Sequence, residues 1–136
     1  EHVRFVYRDF PIDKHPRAHN MAQAANCAGD QGKYWEMYDH LFDNMRDTKD
    51  EQLKAHAATL ELDTAAFDEC YDSAKYAAEV DKDMEDGRSA GVSGTPAFFV
   101  NGRMISGALP FDAFAAIIDD ELDRAGIEVA VATAEQ

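Results

Sequence analysis

Two cysteines, Cys27 and Cys70, stand 43 positions apart in this chain. Thiol chemistry runs through the thiolate, which a helix N-terminus, a nearby cation or a second cysteine at Cys-x-x-Cys spacing stabilises. Neither cysteine has such company in the sequence. Both fall on apolar helical faces, where a cysteine packs as a small hydrophobe. His15 and His19 are spaced i, i+4, which places both rings on one helix face and suits zinc. No third ligand has a matching spacing, so a solvated helix start and no metal is the expectation. His2, His40 and His56 are isolated in the sequence. Asp9, Glu36 and Asp39 could serve acid–base chemistry, but surface charge is the expected role for all three.

The richest stretch is 91–103, Gly-Val-Ser-Gly-Thr-Pro-Ala-Phe-Phe-Val-Asn-Gly-Arg. Gly91, Ser93, Gly94 and Thr95 mark a loop held close to something else. Pro96 lacks an N–H and belongs at the first residue of a strand. Phe98, Phe99 and Val100 read as a short buried strand. Asn101-Gly102 is a strong hairpin signal because both residues tolerate positive φ. A second arm then runs from Arg103 to Ser106.

These candidates need elements to position them. Residues 3–7 are rich in β-branched and aromatic side chains and read as a buried strand ended by Pro11. Pro16 suits a helix start, and Met21, Ala24, Ala25 and Ala28 share a face before Gly29 and Gly32. Residues 33–45 form a second helix, with Trp35, Tyr38, Leu41, Phe42 and Met45 as an inward stripe. Thr48-Lys49-Asp50-Glu51 matches a capping box. It opens a third helix with Leu53, Ala57 and Leu60 inward. Asp63 is expected to cap a short helix through Phe67, Cys70 and Tyr71. Ser73 is expected to cap the next, through Tyr76, Val80 and Met84. After the hairpin, Pro110 opens a last helix with Phe111, Phe114, Ile117, Ile118 and Leu122 on one face. Gly126 ends it. Residues 127–132 alternate weakly, like a strand.

At 136 residues the chain has room for one domain with a core. Hydrophobic content of 46% and charged content of 29% are ordinary for a globular protein. The net charge of −14 excludes the basic footprint of a nucleic-acid binder and disfavours anionic membrane surfaces. No apolar run approaches the roughly 18 residues that span a bilayer. There is no signal-peptide pattern, although the first residue is Glu1 rather than Met.

The Gly-Thr-Pro loop, apolar strand and Asn-Gly hairpin resemble the second half of a thioredoxin-superfamily domain. Phe5-Val6-Tyr7-Arg8-Asp9-Phe10-Pro11, His15-Pro16, Ala24-Ala25-Asn26-Cys27-Ala28 and Gln31-Gly32-Lys33-Tyr34-Trp35-Glu36-Met37 narrow the likeness to the DsbA-like thiol-disulfide oxidoreductases. The resemblance implies an α/β, thioredoxin-like fold with a helical insertion, in the order strand, five helices, two strands, helix. The domain would cover 1–126, with the insertion at about 15–90 and a tail at 127–136. In that family a first strand, a Cys-x-x-Cys and a helix precede the Phe-Val-Tyr-Arg-Asp-Phe strand. None of these is in the given sequence, so no catalytic residue is carried over and no cofactor is expected.

The same resemblance implies thiol-disulfide exchange on protein substrates through a mixed disulfide held against Thr95 and Pro96. The Thr95–Pro96 bond would be cis, and the backbone before it would pair with an extended polypeptide. A periplasmic or extracytoplasmic location is implied as well. The alternative is a non-catalytic peptide-binding or dimerisation module. Some relatives carry a second disulfide in the insertion, which makes Cys27–Cys70 a candidate structural disulfide beside the reading of two buried free thiols. Without a first strand, the strands at 3–7 and 98–100 would flank a gap. An upstream segment, a second chain, the tail at 127–132 or direct pairing of the two strands could fill it. A homodimer is the expected solution, because exposed strand edges recruit other strands.

Overall fold

The computed structural model describes residues 2–127. The strand expected at 127–132 therefore lies, beyond Ile127, outside the described residues. The elements are α1 (Ala18–Gly29), α2 (Tyr34–Asp43), α3 (Asp50–Thr59), α4 (Thr64–Asp72), α5 (Ala77–Ser89), β1 (Ala97–Val100), β2 (Arg103–Ser106) and α6 (Phe111–Arg124). The five helices, the hairpin and the closing helix are the expected ones, in the expected order. No described helix is long and apolar enough to cross a membrane. The chain separates into two compact units, a helical one over Tyr7–Ala90 and a hairpin one formed by 91–127 with 2–6.

The helical unit is organised around α1, whose small residues Ala24, Ala25, Cys27 and Ala28 let neighbouring helices approach closely. Met37 and Leu41 from α2, Leu53 and Ala57 from α3, and Phe67, Cys70 and Tyr71 from α4 close one core over it, with Leu62 from the connection between α3 and α4. Each fully buried side chain of this size contributes roughly 1.5–3 kcal/mol. Polar contacts join the connections. Arg17 Nε donates to Thr48 O at 2.8 Å, and its guanidinium pairs with Asp50, which also accepts from Tyr71 Oη at 2.7 Å. Gln31 closes a two-way bond with the Asp63 backbone, and Lys33 Nζ donates to Leu60 O at 2.6 Å.

Asp63 caps α4 as expected, accepting from the Ala65 and Ala66 N–H groups at 3.0 and 3.1 Å. Two other caps fall elsewhere. The residue before α3 is Lys49, not Thr48, and Gln52 supplies the returning bond to the Lys49 N–H at 3.0 Å. Ser73 ends α4 rather than opening α5, and its hydroxyl donates to Cys70 O at 3.1 Å. A serine just after a helix can turn back on that helix as readily as it can cap the next.

Of the inward stripe expected on α2, only Leu41 is buried in the core. Met37 and Leu41 are buried at 0 and 4% exposure, whereas Trp35, Phe42 and Met45 stand at 45, 55 and 65%. The helix carries two adjacent apolar arcs, 34/37/41 and 35/38/42/45, and spacing alone does not say which arc meets α1. The strand expected at 3–7 is absent as well. These residues join no sheet, and Val3, Phe5 and Val6 are 58, 65 and 58% exposed. β-propensity reports fitness for a pleated, half-buried surface, and a ladder needs a neighbouring strand in register. Direct pairing of 3–7 with β1 is therefore not how the chain closes its sheet.

In the hairpin unit β1 and β2 pair antiparallel, Ala97 to Ser106 through Val100 to Arg103. Asn101 and Gly102 take φ of 47° and 87°, the left-handed pair a two-residue hairpin requires. Phe98 packs edge-on to Phe114 of α6 with ring centroids 4.7 Å apart. Arg103 pairs with Asp120 and with Glu121 (3.1 Å), and Asn101 Nδ2 donates to Glu121 at 3.3 Å. The turn is thereby tied to the last turns of α6.

Candidate functional site: the open edge of the hairpin strand

Val100 and Arg103 flank the two-residue turn, so they form a hydrogen-bonded pair, and such pairs alternate along an antiparallel ladder. Phe98 and Ile105 are the next, and the Gly107 N–H donates to Pro96 O at 2.9 Å in continuation of the series. Ala97 and Phe99 consequently turn their N–H and C=O groups toward the other edge of β1. No strand among the described residues pairs with that edge. It begins at Thr95 and Pro96, which are both exposed, and the peptide bond between them is cis, as expected. The side chain that stands out beside this edge is Phe99, 46% exposed, over Met104, its cross-strand neighbour. A row of free backbone groups with an apolar side chain beside it can accept one more extended strand.

The thiol inventory is closed. Cys27 of α1 and Cys70 of α4 form a disulfide with Cα atoms 5.8 Å apart, leaving no free cysteine. The two residues are 1 and 7% exposed. Of the two readings the sequence leaves for this pair, the bonded one is found. The disulfide staples α1 to α4 and carries no reactive thiolate.

No group of three His, Cys, Asp or Glu among the described residues, with or without His15 and His19, is arranged to hold a metal. His19 instead contacts Asp81 through Nε2 at 3.0 Å and Gln23 through Nδ1 at 3.1 Å. Both histidines border a cavity of about 150 Å³ shared with Pro11, Pro16 and Met84.

Glu36 and Asp39 are exposed, as expected, but Asp9 is not a surface charge: it is 8% exposed. Its carboxylate accepts from Asn26 Nδ2 at 2.9 Å, and its N–H donates to Asp83 at 3.0 Å. Burial pushes the Asp9 carboxyl above its ordinary value, the Asn26 bond opposes this, and Asp83 and Glu79 add to the rise. Burial also pushes the Tyr7 hydroxyl up to about 12 and raises Tyr34, with Asp9 contributing to both. Asp9 is thus a buried carboxyl whose ionisation is disfavoured by burial, stabilised from α1 through Asn26 and flanked by the Arg8–Asp83 and Arg8–Asp86 pairs. The signal for it in the sequence is Asn26. A polar side chain inside the run Ala24-Ala25-Asn26-Cys27-Ala28 has to meet a buried acceptor.

Residues 1–120 match the family model described as thioredoxin. This chain belongs to the thioredoxin family. Its fold is accordingly the α/β, thioredoxin-like one with a helical insertion, in which the two-stranded sheet and α6 form the second half. Among curated proteins it is similar to "Na(+)/H(+) antiporter NhaA 1" of Salinispora arenicola, 38% identical over 117 residues, 85% of this chain and 18% of that protein. It is likewise similar to "Na(+)/H(+) antiporter NhaA 3" of Salinispora tropica, 37% identical over 117 residues, again 85% of this chain and 18% of the relative. "Na(+)/H(+) antiporter NhaA" of Herminiimonas arsenicoxydans is 31% identical over 117 residues, 86% of this chain and 18% of its own. The chain spans less than a fifth of the length of these relatives. No solved structure matches it.

Proposed function

We propose that this chain is part of a DsbA-like domain for protein thiol-disulfide exchange, and that its share of the work is to hold an extended polypeptide against the Thr95–Pro96 loop, while the open edge of β1 receives the domain's first strand. The observation that carries this is the exposed Thr95–Pro96 loop, continuous with an edge of β1 that no described strand covers. In the exchange itself a substrate thiolate attacks one sulfur of the domain's reactive disulfide and the other sulfur leaves as thiolate. The substrate's second thiolate then resolves the mixed disulfide, so two electrons pass from substrate to domain. Cys27 and Cys70 do not supply the reacting pair, because they are 43 positions apart and their disulfide is buried out of a substrate thiolate's reach, at 1 and 7% exposure. That closed disulfide also supports an oxidising, extracytoplasmic setting.

The same closed disulfide favours a second reading, a peptide-binding module that performs no redox step and can pair through the same edge with a second copy of the chain. The relatives' names and lengths support one addition: the domain works as a module of a longer polypeptide that includes an ion antiporter. Reading the coding region on both sides of these residues separates the possibilities. A Cys-x-x-Cys upstream supports the exchange domain, and a series of long apolar segments in the same frame supports the module. The isolated chain is expected to show no dithiol oxidation or insulin reduction. It is expected to shift the amide signals of Thr95, Ala97 and Phe99 when an extended peptide is added. Turnover that is lost in Cys27→Ser would overturn the first expectation, and unmoved amide signals the second.

A further inference from the structure

His40 and His56, on α2 and α3, meet beneath the connection 44–49. His56 is buried at 8% exposure. Its Nε2 lies 2.9 Å from Asp47 O, and its Nδ1 lies 3.0 Å from His40 Nε2. The two rings are close to perpendicular, with centroids 4.7 Å apart. A carbonyl oxygen only accepts, so the hydrogen of the first bond sits on His56 Nε2. With Nε2 protonated, the neutral His56 ring has a bare Nδ1, and the second bond must be donated by His40 Nε2–H. The geometry therefore fixes which nitrogen carries the proton in both rings.

From this tautomer chain we infer that the pair is a one-proton switch holding the α2–α3 connection closed. A first added proton can go to His40 Nδ1 without disturbing either bond, because His40 Nε2 still donates. A second must go to His56 Nδ1, where it meets the His40 Nε2–H donor to donor, and the ring contact has to open. Histidine is the side chain whose charge ordinarily changes between pH 5 and 8. The open state thus binds one proton more than the closed state, and opening is favoured as the pH falls.

The surrounding charges do not replace the lost bond. On α2, Glu36 and Asp43 lie one turn to either side of His40, and both are exposed. In the connection, the Asp47 carboxylate accepts from Gln52 Nε2 at 2.9 Å. Toward α1, Asp50 is taken by Arg17, and toward α4, Asp68 and Asp72 are taken by Lys54. The His40 carbonyl accepts from Asn44 Nδ2 at 2.8 Å, so the end of α2 is tied to the same connection.

The test is nitrogen-detected NMR of the two rings together with amide hydrogen exchange at 44–49 between pH 7.5 and 5, corrected for the intrinsic exchange rate. The switch predicts protonated Nε2 on both rings at high pH. It also predicts amide opening that rises by about tenfold per pH unit once the second proton binds. The His56→Gln variant can donate and accept but cannot titrate, and it should hold the change to less than about twofold over the same range, its one-proton pH slope gone. Protonated Nδ1 on His56 at high pH, or equal opening slopes in the native chain and His56→Gln, would overturn the switch. If His56→Gln fails to fold, His40→Gln gives the same contrast, since its amide can turn from donating to accepting when His56 Nδ1 takes a proton.

Discussion

The helical unit buries Met37, Leu53, Phe67 and Val80 completely, whereas the hairpin unit buries Ile105 and leaves Phe99, Met104 and Phe111 at 46, 42 and 81% exposure. α6 has an apolar stripe as clear as any helix in the chain, yet none of its residues is buried. The difference lies in the number of layers. In the first unit α1 to α4 each find two or more helical neighbours and α5 packs on α1, and a connection such as Arg17–Thr48–Asp50 ties them. The second unit consists, among the described residues, of one hairpin and one helix. A two-stranded sheet is marginal unless a further strand or a packed face supports it. The apolar residues of β1 and α6 therefore suit a larger assembly than these elements make, which is the physical content of the open β1 edge.

The largest effects should separate the two units. Phe67→Ala removes a ring at 0% exposure and is expected to cost about 3–5 kcal/mol of unfolding free energy. Phe114→Ala, on a half-buried ring, should cost less than half as much, since the loss follows the area taken from water. Urea titration followed by residue-resolved NMR checks both, and equal costs would remove the contrast. Next in size is the staple. Cys27→Ala with Cys70→Ala opens a loop of 43 residues and should cost about 2–4 kcal/mol, falling on the helical unit and leaving the hairpin amides unchanged.

The same contrast explains what could be read in advance. Helix order, the Asp63 cap, the Asn-Gly hairpin and the Thr95–Pro96 loop depend on local chemistry, and the sequence displays them. The inward arc of α2 was not legible, because Trp35/Phe42 and Met37/Leu41 satisfy the helical period equally and only the position of α1 decides between them. The 3–7 segment misled for a related reason: strand character is local, but a strand is a relation between two segments. Asp9 and the His40–His56 pair were missed because their partners, Asn26, Asp83 and Asp47, are distant in sequence or present only a backbone atom. At the candidate site the residues of the loop were visible. What sets it apart, an edge of β1 that no described strand covers, is a property of the sheet.

A smaller effect tests the helical unit at one terminus. Asp63 satisfies two N–H groups at the start of α4, so Asp63→Ala should cost about 0.5–2 kcal/mol, and Asp63→Ser should recover most of it. Thermal denaturation of the three proteins measures this, and a loss that serine does not restore would show that the carboxylate's charge at the start of α4, not its hydrogen bonds to the Ala65 and Ala66 N–H groups, carries the effect.

The smallest effect concerns Asp9 and is read best from its sign. Burial holds its carboxyl above the ordinary value, so the folded chain binds that proton more tightly than the unfolded chain does. The penalty of ionising Asp9 is present at neutral pH and is relieved as the pH falls through the raised value toward about 4, the unfolded range. Asp50, lowered by Arg17 and Tyr71, and Asp30, lowered by Lys75 and Tyr76, act the other way. Their contribution is present above about 4 and is lost as the pH falls further, through their folded values. Asp9→Asn keeps an acceptor for Asn26 and removes the charge. The variant should therefore be the more stable protein at pH 7, and the gap should close between pH 7 and 4. Below that range both proteins should lose stability in parallel as Asp50 and Asp30 protonate. Denaturant midpoints at successive pH values supply the comparison. A gap that stays constant from pH 7 to 4 would mean that burial does not raise the Asp9 carboxyl above its ordinary value.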